Sequence, residues 1–366
     1  MLFLNNKASA RQMQMLLMLD IFGAGIVMLP RKAAQYAGNG AWLIVLVMGI
    51  AAALIAFLLG TAGKYYREGE SFVDAAQRLL SKPVGAALGL LISLKLMFNC
   101  VLELSRFGGV VNEKLLRQTP FWVICAVMLA VSSYAASKGY ETRARLAQVL
   151  FYIVFVPFIF VFVLAMRDVE FENLVPMMSI SPGDILKGAA QMGSSLTGLE
   201  LILLCQPYAA KRVALRSKLI HAVLFIGCVM VFTTIVTYAR FGETITQLKY
   251  PVLDMMDTTD IPGAFIERQD ALMMSFWILS NFAIVNGCMF FSSIVLKDVI
   301  KKGRHSIYIA ASAVAVFAAV CLLNHEDIDR LIDMVYYTLG AGFLVIVPLI
   351  MIISGAARAT RKAAMR

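Results

Sequence analysis

The 366-residue sequence is short of charge, with Asp, Glu, Lys and Arg together making up 15% of it. A soluble domain carries about 25% charged residues to cover its water-facing surface. Here 60% of the chain is apolar and the mean hydropathy is +0.78. The excess Leu, Ile, Val, Ala and Phe must face lipid, which excludes a soluble enzyme and a disordered chain. Catalytic and metal signatures are missing too. His221, His305 and His325 lie far apart, so no HExxH-type zinc pair forms. A P-loop (GxxxxGKS or GxxxxGKT) is absent, as is a GxSxG elbow, so neither a nucleotide-driven pump nor a serine hydrolase is expected. No cofactor, metal or enzymatic activity is expected. Cys100, Cys125, Cys205, Cys228, Cys288 and Cys321 all fall in apolar runs without CxxC spacing and read as small core residues. Basic segments interleaved with aromatics are absent, so the formal charge of +10 is not a nucleic-acid footprint.

What the sequence does have is long apolar runs. A membrane-crossing helix needs about 20 mostly apolar residues. Ten stretches qualify, at about 12–36, 40–63, 84–111, 119–136, 147–166, 184–206, 214–240, 271–296, 306–323 and 331–355. None alternates with period two, so they predict an all-α membrane bundle rather than a β-barrel. Lys7 and Arg11 precede the first run, but Pro30-Arg31 follows it in place of a small-residue cleavage site, so it reads as a span. With both termini cytoplasmic, 21 Lys and Arg fall in inner loops and 9 in outer ones, while Lys95, Arg106 and Lys187 fall within spans. Basic residues favour the cytoplasmic side, so the N-in, C-in orientation follows, with 358–366 as a short basic cytoplasmic tail. Asp168, Glu170, Glu172, Asp254, Asp257, Asp260, Glu267 and Asp270 crowd the outer loops and read as a solvated rim.

Spans one and six are interrupted near their middles. Span one contains Gly23-Ala24-Gly25 and ends at Pro30; span six contains Gly193-Ser194-Ser195-Leu196-Thr197-Gly198. Gly193 follows Gly23 by 170 residues, and each interruption opens a set of five spans. The pattern predicts one integral membrane domain over 1–366, built from inverted repeats at about 12–166 and 184–355. Each helix-interior glycine costs about 1 kcal/mol relative to alanine, and freed backbone groups need partners inside a membrane. Exposed amides at one half-helix suit a carboxylate and exposed carbonyls at the other suit an ammonium, so a zwitterionic amino acid fits both. The other reading of each glycine segment is a small-residue packing face.

Ionisable groups at membrane depth are candidate functional residues. Asp20 precedes Gly23 by three residues and Glu200 follows Gly198 by two. Because the two spans run oppositely, both carboxylates lie on the cytoplasmic side of their breaks. They are a candidate ion or proton site; alternatively each caps freed amides or pairs with a basic group. Lys95, Asn99, Glu103 and Arg106 form a stripe along span three, suited to an ion-pair lock or a partner contact. Met97 and Val101, and in span eight Gly287 and Phe291, share i, i+4 spacing and suit either an apolar pocket wall or plain core. Glu141 and Arg145 have the same spacing in the loop after span four.

Four motifs in order resemble those of the spore germination permeases, the B-type subunits of germinant receptors within the amino acid/polyamine/organocation transporter superfamily. They are Gly23-Ala24-Gly25 through Leu29-Pro30, Gly139-Tyr140-Glu141-Thr142-Arg143-Ala144-Arg145, Gly198-Leu199-Glu200 running to Pro207-Tyr208, and Phe265-Ile266-Glu267-Arg268-Gln269-Asp270. The resemblance implies a ten-span LeuT-like fold with broken helices one and six, in the inner membrane of the dormant spore. It also implies recognition of a small nutrient that triggers germination, in complex with an A-type membrane subunit and a C-type lipoprotein. By position in the matched motifs, the pocket is bounded by Gly23, Ala24, Gly25, Met97, Val101, Gly198, Leu199, Gly287 and Phe291. Met97, Gly287 and Phe291 offer neither hydroxyl nor charge, so the expected ligand is an apolar amino acid rather than a sugar. The competing expectation is a proton- or sodium-coupled amino acid transporter working through Asp20 and Glu200.

Overall fold

A chain surrounded by hydrocarbon must satisfy its backbone N–H and C=O groups internally, which favours helices. The computed structural model describes residues 6–175, 180–193, 198–211, 214–257, 269–322, 328–335 and 339–364. Among them the structure is helical, with one isolated bridge between Ala8 and Ala209 and no strands. Ser9 opens α1 (Ala10–Gly25) with a capping box: its Oγ accepts from Gln12 N at 3.2 Å, and its own N donates to Gln12 Oε1 at 3.0 Å. After a turn at 26–28 the helix resumes as α2 (Leu29–Ala37), with Pro30 in the first turn where its missing N–H is harmless. The interruption of span one is therefore present, just after Gly25.

There follow α3 (Ala41–Ala62), the short α4 (Phe72–Leu79), α5 (Lys82–Lys114), α6 (Phe121–Ser137) and α7 (Tyr140–Ala165). Span six is carried by α8 (Pro182–Gln191) and α9 (Leu201–Leu204). The chain continues with α10 (Leu215–Phe241), α11 (Pro251–Asp257), α12 (Gln269–Ile300), α13 (His305–Leu322), α14 (Ile328–Val335) and α15 (Val347–Ala364). Ser194 to Thr197 of the second break, the Phe265-Ile266-Glu267-Arg268 part of the fourth motif, and His325 lie outside the described residues. Among the described residues, seven helical stretches are by length and composition long and apolar enough to cross a membrane, and α6 is a shorter apolar helix.

Two expectations need correction, the start of α7 and the burial of the cysteines. Helix α7 begins at Tyr140 rather than near residue 147, because Gly139 (φ +89°) ends the preceding turn and Glu141 sits in the first helical turn, where the dipole favours an acid. Residues 358–364, within the stretch read as a basic tail, are helical and continue α15. Cys228 and Cys321 are exposed, on the outward faces of their helices, while Cys100, Cys125, Cys205 and Cys288 are buried. Leu54, Phe160, Val314 and Ile353, each more than 60% exposed, share that outward environment and form the lipid-facing surface.

Helix α1 packs among α7, α10 and α12, and the most extensive helix–helix interfaces are α3 with α10 and α5 with α12. At the first of these, Gly49 and Gly227 face each other: a Cβ on either would stand 3.5 Å from the other's Cα.

The loops sort into two faces. On one, Lys7 pairs with Glu68 at 3.7 Å, Tyr140 N donates to Asn6 Oδ1 at 2.8 Å, and Ala8 N donates to Tyr208 O at 2.8 Å. Lys301 pairs there with Asp74 at 3.5 Å, and Gly355 of α15 meets the Tyr65 ring. On the opposite face Lys114 pairs with Asp254 at 2.5 Å, Arg31 Nε donates to Thr246 O at 3.3 Å, and Asn173 Nδ2 donates to Ala239 O at 3.0 Å.

Candidate functional site

The two glycine-marked segments meet at the centre of the bundle. Gly198 has φ +107°, a conformation that strains any residue with a side chain. A Cβ there would lie 3.7 Å from Asp20 Cβ and 3.3 Å from Ile284 Cδ1. Leu199 and Glu200, which follow it, are buried. At Gly23 an added Cβ would stand 2.6 Å from the Ser280 carbonyl oxygen, so this glycine serves the close crossing of α1 and α12. Gly25 is half-buried at the end of α1, and Ala24 is helical in its backbone. Val101 is buried and Met97 half-buried on α5, which packs against α12.

Each buried carboxylate faces a cation. Arg143 Nη2 donates to both Asp20 oxygens at 2.7 Å and to Ala283 O at 3.2 Å. Lys95 Nζ pairs with Glu200 Oε1, to which Asn99 Nδ2 also donates at 2.8 Å. All five side chains are buried, and in such surroundings an unmatched charge costs several kcal/mol. The lower part of the span-three stripe therefore reaches across to the second half of the chain, while Arg106 pairs with Glu103 on its own helix at 3.4 Å. Hydropathy places Arg143 in the loop between spans four and five, but the early start of α7 carries it into the core.

Gly287 and Phe291 both face Arg143. A Cβ at residue 287 would lie 2.3 Å from Arg143 Nη2, and the guanidinium sits 5.8 Å from the Phe291 ring centre. Phe291 belongs to an aromatic layer in which Tyr140 and Tyr208 stack at 4.5 Å and Phe290 meets Phe291 edge-on at 5.1 Å. Isolated aromatics in three distant segments give no sequence signal for such a layer. The Phe291 ring borders two spaces: a cavity of about 10 Å³, shared with Asp20, Tyr140, Arg143 and Cys205, and a vestibule of about 320 Å³ on the N-terminal face, shared with Lys7, Ser71, Asp74, Tyr208 and Asp298. The first holds about one water.

On the opposite face a cleft of about 300 Å³ is bordered by Met28, Arg31, Lys32, Tyr36, Met192 and Lys249. Met28 and Met192 lie next to the two interruptions. Glu113 hydrogen-bonds the Lys249 ammonium and holds its pKa above the ordinary value. Among the described residues no cluster of three His, Cys, Asp or Glu is placed to hold a metal ion. The arrangement is a charge-neutral polar centre, two carboxylates against two cations, lying between two clefts.

The sequence model of a family described as "Spore germination protein" matches residues 7–328. The chain is 22% identical over 342 residues to Spore germination protein YndE of Bacillus subtilis strain 168, covering 92% of this chain and 94% of that protein. It is 26% identical over 360 residues to Spore germination protein B2 of the same strain, covering 92% and 91%. To Spore germination protein GerQB of Bacillus cereus it is 25% identical over 259 residues, or 70% of each chain. With apolar helices throughout and a match running from the N-terminal segment to the start of α14, this chain is a multi-pass membrane protein and belongs to the spore germination permease family.

Proposed function

We propose that the chain is the nutrient-sensing membrane subunit of a spore germinant receptor. In this reading a small apolar amino acid binds at mid-membrane between the interrupted helices and shifts the population between two conformations, which triggers germination without chemical conversion. The observation that carries it is the meeting of Gly198 with Asp20 just before the α1–α2 interruption, which brings matched segments from opposite halves of the chain to one point. The first amides of α2 supply a positive helix end for the ligand carboxylate. Gly23, Ala24, Gly25, Met97, Val101, Gly198 and Leu199 bound the site in this reading, and Gly287 and Phe291 bound it from behind Arg143 on the N-terminal side.

A ten-crossing inverted repeat is part of the same proposal, with α1–α2, α3, α5, α6 and α7 in the first half and α8–α9, α10, α12, α13 and α14–α15 in the second. The pairing of α3 with α10 and of α5 with α12, each the counterpart of the other, supports it, as does the reciprocal contact of Gly49 with Gly227, 178 residues later. The N-terminal face is cytoplasmic in this scheme, the nutrient enters from the opposite cleft, and an A-type membrane subunit and a C-type lipoprotein complete the receptor in the inner spore membrane. Sensing is favoured over proton- or sodium-coupled transport because Asp20 and Glu200 already hold Arg143 and Lys95, which a coupling ion would have to displace.

A thermal-shift series with L-alanine, L-valine and L-leucine on the purified chain tests the reading. At least one should raise the melting temperature, and Gly25→Leu should abolish that rise while leaving the unliganded protein folded. Stabilisation that persists undiminished in Gly25→Leu would remove the pocket from this position. Uptake of the same labelled amino acid by proteoliposomes containing only this chain would favour the transporter.

A further inference from the structure

We propose that the Asp20–Arg143 ion pair is a latch, seated by the missing side chain of Gly287, that closes the candidate site toward the vestibule on the N-terminal face. Only the identity of what releases the latch, the bound amino acid, rests on the sensing reading; the closure stands on geometry.

Arg143 ties together three helices, reaching from α7 to both Asp20 oxygens on α1 at 2.7 Å and to the Ala283 carbonyl on α12 at 3.2 Å. Its guanidinium lies where any side chain at 287 would begin, since a Cβ there would be 2.3 Å from Nη2 and 3.1 Å from Cζ. Gly287 is thus a positioning residue for the pair. Gly198 touches the near side of Asp20. Beyond the pair come the cavity of about 10 Å³, the rings of Phe291 and Tyr208, and then the vestibule of about 320 Å³. One ion pair and one aromatic layer separate the meeting point of the broken helices from the open face.

Both parts of this barrier belong to the first turn of α7. Tyr140 supplies a ring to the aromatic layer and Arg143, three residues on, supplies the latch; Gly139 at φ +89° stands immediately before them as a pivot. The N-terminal segment straps the layer. Asn6 Oδ1 accepts from Tyr140 N at 2.8 Å, and Ala8 N donates to Tyr208 O at 2.8 Å, so one short stretch holds the backbones of the two stacked tyrosines. A buried ion pair is close to break-even against an apolar replacement, yet costly to leave half-made. That suits a contact that is either fully formed or fully released.

Cys205 is a buried thiol on the wall of the small cavity, just behind the aromatic layer. The test uses the full chain in membrane vesicles with Cys205 as its only cysteine, exposed on the N-terminal face to a small membrane-impermeant thiol reagent. A second reporter keeps only Cys125, which is buried between α5 and α6 away from the latch. Asp20→Asn with Arg143→Gln removes both charges and leaves neither stranded, and Gly287→Ala displaces the guanidinium without deleting a charge. Each should speed Cys205 modification by about tenfold or more while Cys125 stays slow. Unchanged Cys205 rates in both folded variants, or equal acceleration of Cys205 and Cys125, would overturn the latch. Adding L-alanine or L-leucine to the parent chain reports separately on release by ligand: if neither binds, the sensing reading fails while the variant comparison still decides the latch.

Discussion

Three glycines near the centre do different physical work. Gly23 lets two backbones touch, Gly198 adopts a backbone angle that a side chain would strain, and Gly287 leaves room for another residue's charged group. These roles predict different responses to one added methyl. At Gly23 the new Cβ would stand 2.6 Å from backbone of α12, which cannot rotate away; Gly23→Ala should lower stability by about 1–3 kcal/mol. At Gly227 the nearest atom would be 3.5 Å away, an ordinary contact, so Gly227→Ala should stay within about 0.5 kcal/mol of the parent. Melting curves in one detergent compare the two, and equal losses would mean that the crossing distances do not govern packing.

Among the elements, α4 shows how a short surface helix is fixed to the N-terminal face. Ser71 caps it, accepting from Asp74 N at 3.2 Å, and Arg78 in its last turn grips Glu70 with two hydrogen bonds, at 2.6 and 2.8 Å, while also donating to Tyr65 O at 2.6 Å. Burial pushes the Glu70 carboxyl upward, but the hydrogen bonds from Arg78 and from Arg67 N outweigh it and hold the group below its ordinary 4.5. A carboxyl with a depressed folded-state pKa lends stability that is present above the ordinary value and fades as pH falls through the folded one. The parent should therefore lose thermal stability more steeply than Glu70→Gln as pH drops below 4.5. Parallel slopes in scanning fluorimetry would show that the clamp contributes nothing. Helix α7 illustrates the limits of hydropathy at this scale. Its first two turns carry Glu141, Arg143 and Arg145 and so read as a loop, yet Glu141 and Arg145 pair at 2.5 Å along the helix and Arg143 finds Asp20 inside the bundle.

Taken whole, the molecule is organised by its two faces. Segments 6–8, 64–71, 138–140, 205–210 and 297–302 gather on one, and the residues around 31, 114, 173, 246 and 254 on the other. Those are the two sets of loops between which the sequence divides Lys and Arg unequally, apart from Arg143, which the structure moves from a loop into the core. Tags placed before Met1 and after Arg366 should both be accessible only from the cytoplasmic side; accessibility of either from outside in intact cells would reverse the orientation. Exposed apolar side chains such as Leu54 and Val314 girdle the bundle between the faces, while Asp20, Arg143, Lys95 and Glu200 are gathered at its centre and Lys187 is exposed on α8.

The sequence by itself determined the membrane class, the helical character, the family and the break in span one, because each depends on local composition or on residues close together in the chain. Charge scarcity and apolar runs need no fold to be read, and glycines followed by Pro30 mark the interruption wherever the helix packs. Only the tertiary structure decided which charges meet. Asp20 and Arg143 are 123 residues apart, Lys95 and Glu200 105 apart, and nothing in either neighbourhood names the partner. A buried charge must be matched by whatever the packing brings near it, so those pairings, and the empty place at Gly287 that admits one of them, are properties of the assembled bundle.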